Sequence, residues 1–124
     1  MSSSQIFSLV FGMTYLSVGL LGMVFLGGER EIFGLFGVDI WHNIAHALIG
    51  GAFLYGSRSI DLSRRMCLIL GGLFGVLALL GFANILDEGT ILHVNSGDDF
   101  LHLATAVLAL YFGFTGADAP PRTL

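Results

Sequence analysis

His42, His46, Asp98 and His102 are the residues whose types and spacing could do chemistry. They lie in two short stretches, WHNIAHALIGG from Trp41 and DDFLHLATAVL from Asp98. Residues four apart share one face of a helix, with Cβ atoms about 6 Å apart. Two such helices facing each other would bring together three imidazoles and a carboxylate, a ligand set suited to zinc or another first-row metal. A His-x-x-x-His pair alone is weak evidence. Its echo as Asp98-x-x-x-His102 strengthens it.

Each of these residues also has a structural explanation. Asp39 and Ser96 suit helix N-caps. Ser96-Gly97-Asp98-Asp99 fits a capping box, with aspartate in place of Glu or Gln. Acids in a first turn also suit the helix dipole. Trp41 and His42 sit where interfacial side chains belong, and His93 falls in a loop. His46 and His102 are harder to explain this way, because they lie about two turns inside the caps. Ionisable residues at depth are costly and are functional candidates by default. A positive charge near a helix N-terminus is unfavourable, so neutral imidazoles are expected. Three readings stay open for them: hydrogen bonding to a loop carbonyl, a bound transition metal or tetrapyrrole, and proton or quinone chemistry.

The elements that must carry these residues follow from composition. The chain has 124 residues, enough for one domain, and is 55% hydrophobic but only 11% charged. Its mean hydropathy is +0.85. Soluble domains carry about 25% charged residues, so the solvent is expected to be lipid. There is no lysine, and five arginines face nine acids, which argues against a nucleic-acid surface. Stretches 6–26 and 66–86 contain no ionisable Asp, Glu, Lys, Arg or His, and about 20 apolar residues cross a bilayer as a helix. The shorter stretches 40–57 and 99–116 carry histidine near their starts. The expected architecture is all-α: an integral membrane four-helix bundle filling residues 1–124, with spans at about 6–26, 40–57, 66–86 and 99–116. The first span is too long for a signal-peptide core, so it is expected to be retained. Arg58, Arg64 and Arg65 in a Gly56–Arg65 link, with Arg122, mark the cytoplasmic side. Both termini are then cytoplasmic. Arg30, the acidic loops (Glu29, Glu31, Asp39, Asp87, Glu88) and all four histidines face outward or into a lumen.

The two halves resemble each other. With a shift of 56 residues His46 falls on His102, Tyr55 on Tyr111, Leu54 on Leu110, His42 on Asp98 and Asn43 on Asp99. With a shift of 59, Leu9 falls on Leu68, Gly12 on Gly71 and Leu20-Leu21-Gly22 on Leu79-Leu80-Gly81. Two tandem two-helix repeats, about 6–57 and 66–116, would insert in the same orientation around an axis along the membrane normal. Small residues at four-residue steps (Gly71 and Gly75; Thr105, Ala109 and Gly113; Ala47 and Gly51; Ala52 and Gly56) suit close helix packing in lipid. Gly75 and Gly113 are also candidates for a face that docks another protein. Cys67, the single cysteine, is expected to be packing. Tyr55 and Tyr111 suit an aromatic belt, and Asn84 an interhelical hydrogen bond. Phe33 and Phe36 in the loop 27–39 suit membrane anchoring or a roof over the site.

The stretches HNIAHALIG and NSGDDFLHLATAVLAL, each after an apolar helix and an acidic or Gly-rich loop, resemble a family of small four-helix bacterial membrane proteins catalogued as domain of unknown function number 4383. The resemblance runs from about Ile6 to Thr115. The family pattern is similar to His/Asp-Asn-x-x-His-x-x-x-Gly in each half. His42, Asn43, His46 and Gly50 fit it, while Asp99 replaces the asparagine and Ala106 the glycine in the second copy. The resemblance implies the fold and a bacterial inner or internal membrane. It implies no activity.

No nucleophile–base set and no phosphate loop is present. The expected function is therefore a non-enzymatic accessory, scaffold or cofactor-holding subunit. Its partners would be the bilayer and either further copies of the chain or a larger membrane complex. The alternatives are a metal- or quinone-dependent membrane oxidoreductase built on the His/Asp cluster, and a small oligomeric transporter.

Overall fold

A computed structural model describes residues 1–25, 31–32, 36–37, 39–86 and 94–117. The fold is all-α with four helices: α1 (Ser3–Phe25), α2 (Ile40–Gly56), α3 (Ile60–Phe82) and α4 (Ser96–Thr115). Between α1 and α2, β1 (Glu31–Ile32) and β2 (Phe36–Gly37) form a two-residue antiparallel pair, with Glu31 opposite Gly37 and Ile32 opposite Phe36. The β2 backbone lies against α4. The anchoring expected of Phe33 and Phe36, the loop position of His93, and the loop charges Glu29, Arg30, Asp87, Glu88 and Arg122 all concern side chains outside the described residues.

Among the described residues two helices are long and apolar enough to cross a membrane, α1 over Ser3–Val24 and α3 over Ile60–Phe82. Helix α3 begins earlier than its apolar run, because Ser59 caps it by accepting from the Leu62 amide. The expected Gly56–Arg65 link is therefore short, and Arg64 and Arg65 ride on the first turns of α3. Arg64 donates from Nε to the Gly113 carbonyl at 3.1 Å, where a cation suits the end of α4. Helix α3 also ends before Leu86. Asn84 adopts φ 55°, with Asn84 N–H donating to Gly81 O and Ile85 N–H to Leu80 O. That is a Schellman stop, for which a left-handed residue is required and Asn is tolerated. Asn84 is exposed and terminates α3. The interhelical bond expected of it is not what it makes.

Packing is closest within two hairpins, α1 with α2 and α3 with α4, and contact between the hairpins is sparser. Glycine makes the hairpins close. A Cβ on Gly12 would meet Leu54 N and Cγ at 2.8 Å, and one on Gly71 would meet Leu110 N and Cγ at 3.0 Å. Gly22 lies against the Asn43 side chain and Gly81 against the Asp99 carboxylate. At the other end Gln5 Nε2 donates to Ser57 O at 3.0 Å, as Arg64 Nε does to Gly113 O. Between the hairpins α1 meets α3 through Ser4 and Ser63 (Oγ to Oγ 2.8 Å), Ser8 and Cys67 (3.5 Å), and Tyr15 and Phe74 (centroids 5.2 Å). Cys67 is fully buried packing, as its sequence setting suggests.

The interior is layered. Ser2, Ser4 and Ser63 close one end. Phe7, Phe11, Phe53 and Phe112 fill the next layer, with Phe7 stacked on Phe11 at 4.1 Å and edge-on to Phe53. Above them Tyr15 and Phe74 form the floor beneath the histidines. Gly113, a candidate for outward docking, instead packs inward on Leu68, while Gly75 has a wide contact only with Ala106.

Gly50 separates tight from open positions. A Cβ there would run into the Leu16 backbone, whereas Gly51 has nothing within 4 Å. Backbone cannot rotate away as a side chain can, so Gly50→Ala is expected to destabilise by about 1–3 kcal/mol. Gly51→Ala should leave stability equal or higher by up to about 1 kcal/mol, through helix propensity. Thermal unfolding of the two variants in the same detergent checks the contrast.

Candidate functional site

Capping places the chemistry. Asp39 starts α2, its Oδ1 accepting from His42 N at 2.8 Å. His42 thus falls in the first turn and His46 one turn further, both on the inward face. Helix α4 is capped by Asn95, one residue before the expected Ser96. Asn95 Oδ1 accepts from Asp98 N at 3.1 Å, and Asp98 Oδ2 accepts from Asn95 N at 3.0 Å. This is a reciprocal box with Asp98 at the third position. Asn is as good a cap as Ser, so moving the box by one residue costs little. The move employs Asp98 as the box acid and frees Asp99 to lie against Gly81.

His42, His46 and His102 come together. Their side chains are buried, at 3%, 6% and 3% exposure, and one nitrogen of each lies within 4.8 Å of those of the others. His42 and His46 meet at 4.4 Å between centroids, His42 and His102 at 6.3 Å. Asp98 is fully buried, but the close donor group consists of the three imidazoles, and the carboxylate serves the cap. Of the four expected ligands, three converge.

The nitrogens of these rings are poorly satisfied. His42 Nδ1 and Nε2, His46 Nδ1 and Nε2, and His102 Nδ1 are buried with no hydrogen-bond partner, as are Asn43 Oδ1 and Asp99 Oδ1. Among the described residues, the loop-carbonyl hydrogen bond expected as one reading for His46 and His102 is not made by His46. A cavity of about 30 Å³ adjoins the rings, walled by Ala45, Ile49, Phe74, Leu77 and Val94. It exceeds the roughly 10–15 Å³ that one water requires.

Tyr15, Thr105 and Phe74 complete the site, and none of them stands out in the sequence as a site residue. The Tyr15 ring stands edge-on to His46 at 5.2 Å, and Phe74 tilts against His102 at 5.3 Å. Tyr15 and Thr105 hydroxyls share a hydrogen bond of 2.8 Å. These contacts hold the imidazole planes. A signal was available: Tyr15 falls on Phe74 under the same 59-residue shift that relates α1 to α3.

An unpartnered buried polar group costs about 1–3 kcal/mol. In chelator-treated protein, His46→Leu, of similar volume, is therefore expected to raise stability by about that amount. Thermal unfolding in detergent with a chelator present reads it, and a lower midpoint would mean that the imidazole is satisfied within the chain.

No curated protein and no solved structure matches the chain. A family model described as domain of unknown function (DUF4383) matches residues 5–115, which include all four helix cores and every residue of the site. The chain belongs to the DUF4383 family.

Proposed function

We propose that this chain is an integral membrane protein of four spans that holds a small prosthetic ligand between its two hairpins, as a non-enzymatic accessory or scaffold subunit. The observation that carries the reading is the buried three-histidine group with its orphaned nitrogens. A chain does not gain from burying unsatisfied imidazoles, whereas a ligand that accepts their lone pairs relieves the penalty at one nitrogen of each ring.

The membrane part of the reading rests on an inverted distribution of side chains. Ser, Thr, His, Asn and Asp are buried, while large apolar residues are exposed on every helix: Val10 and Leu21 on α1, Trp41 and Leu48 on α2, Ile69 and Leu79 on α3, Val107 and Phe114 on α4. Exposed apolar surface on this scale needs a cover, and lipid covers all sides at once. Helix α2, with 17 residues, is about 26 Å long. That is short for a hydrocarbon core of about 30 Å, but a modest mismatch is met by thinning or by interfacial residues. Trp41 and Tyr55 stand exposed at its two ends. With arginine as the cytoplasmic marker, both termini are cytoplasmic and the histidines lie toward the opposite face.

Duplication accounts for the paired contacts. Gly12 with Leu54 answers Gly71 with Leu110, Gly22 with Asn43 answers Gly81 with Asp99, and Tyr15 with His46 answers Phe74 with His102. Each pair is related by shifts of 59 on α1 and α3 and 56 on α2 and α4. The contacts of Ser4 with Ser63, Ser8 with Cys67 and Tyr15 with Phe74 join residues 59 apart to each other. Such self-pairs are what a pseudo-twofold axis between α1 and α3 produces, with both hairpins inserted the same way.

The expected outcome is that the full chain stays in the membrane pellet after alkaline carbonate extraction, and that reporters fused at either terminus show a cytoplasmic location. A reporter inserted in the connection after α3 should show the opposite side. Release into the carbonate supernatant would contradict the membrane reading.

A further inference from the structure

We infer that the three histidines form a tridentate site for a single first-row transition-metal ion, with a fourth coordination position open toward the apolar cavity. This rests on the reading that the site holds a ligand, and it names the ligand's class.

The donor set comes first. Three imidazoles with no thiolate among the close donors are borderline ligands, suited to zinc, copper, iron or nickel rather than to calcium or magnesium. Zinc–imidazole bonds of about 2.0–2.1 Å put the nitrogens of a tetrahedral site about 3.3 Å apart. The widest pair, within 4.8 Å, must close by about 1.5 Å. Three protein ligands plus one open position is also the arrangement of zinc sites that bind an exchangeable ligand.

Size favours an ion over the larger groups. The adjoining cavity is about 30 Å³, against about 300–1,000 Å³ for the pockets of drug-sized molecules and cofactors. A tetrapyrrole or a quinone ring would have to displace Ile49, Phe74 and Leu77, which belong to or pack on the buried core. An ion, together with a water, hydroxide or other small ligand, fits as the site stands. Imidazole coordinates a metal as a neutral donor, so the ion would keep its full charge, the largest local charge at the site. The fourth position should therefore favour a small anion.

Orientation of the rings belongs to Tyr15 and Phe74, which stand against His46 and His102. Asp98 stays in its capping box and is not a ligand in this assignment.

The experiment uses the full chain in mild detergent, stripped with a chelator and titrated with Zn²⁺ and with Co²⁺ as the spectroscopic probe. One Co²⁺ per chain is expected, with the visible bands and intensity of a four-coordinate ion, displaced by Zn²⁺ and shifted by azide. His42→Ala, His46→Ala and His102→Ala should each weaken binding by more than about 100-fold, beyond the loss that second-shell changes cause. Asp98→Asn, which keeps an acceptor for the cap, should bind as the natural chain does. X-ray absorption of the zinc-loaded natural chain needs no variant and should count three imidazoles and one lighter ligand. Six-coordinate cobalt, binding unchanged in all three histidine variants, or fewer than three imidazoles in the absorption data would overturn the assignment. A tetrapyrrole spectrum in the purified protein would overturn it too, while leaving the ligand-holding reading intact. Absence of any metal uptake and of any chromophore would overturn both. Release of the chain by carbonate alongside normal cobalt binding would overturn only the membrane reading.

Discussion

The structure depends on one unfavourable arrangement, five imidazole nitrogens held in the interior without hydrogen-bond partners. At about 1–3 kcal/mol each, they oppose a net folding stability that is typically only about 5–15 kcal/mol. Rigidity elsewhere is what makes such a cost tolerable. The glycine contacts bring α1 against α2 and α3 against α4 at backbone distance, where dispersion is strongest. The capping of α2 by Asp39 and of α4 by Asn95 and Asp98 fixes the rotation of the helices that carry the rings. Tyr15 and Phe74 then limit how far the rings can turn. None of these devices lowers the cost of the buried nitrogens. They prevent the chain from escaping that cost by letting the rings swing out of the bundle.

Much of this was legible in the sequence, for identifiable reasons. Helices are easy to locate where apolar runs are long. The duplication of histidine, tyrosine and Leu-Leu-Gly at fixed shifts pointed to paired hairpins and to His46 and His102 as residues that would meet. His42 was ambiguous because a first-turn histidine can face a partner or an interface equally well. The start of α2 at Asp39 and the close packing of its Gly50 on the Leu16 backbone turn it inward. The ends of α3 were misplaced at both sides because hydropathy does not mark helix ends. Ser59 starts α3 among charged residues, and Asn84 stops it among apolar ones. The role of Tyr15 was hidden because α1 looks uniformly apolar, and its polar edge matters only through Thr105, ninety residues away.

The departures from symmetry between the hairpins are as informative as the matches. Gly50 lets the backbone of Leu16 approach, and its counterpart in the second hairpin is Ala106. The added methyl is met by Gly75, which stands where Leu16 does; even a Cβ added to Gly75 would lie 3.9 Å from the Ala106 methyl. A volume gained on α4 is thus offset by a volume lost on α3, as close packing demands. This substitution pair preserves the spacing of the hairpins without preserving the residues.

The second departure, His42 against Asp98, exchanges a neutral imidazole for a carboxylate, and here chemistry offers the better account. A fully symmetric site would set a pair of donors from each hairpin around the axis and close a four-coordinate ion completely. Drawing one carboxylate into the cap of α4 leaves three neutral donors and one uncovered direction. That direction is lined by Ile49, Leu77 and Val94. Closed four-coordinate sites are structural, while three-ligand sites admit an exchangeable fourth group. If the chain required an ion only to clamp its hairpins, a histidine at position 98 would serve better than an aspartate committed to a capping box. For the proposed ion, the asymmetry therefore favours an open position over a closed clamp.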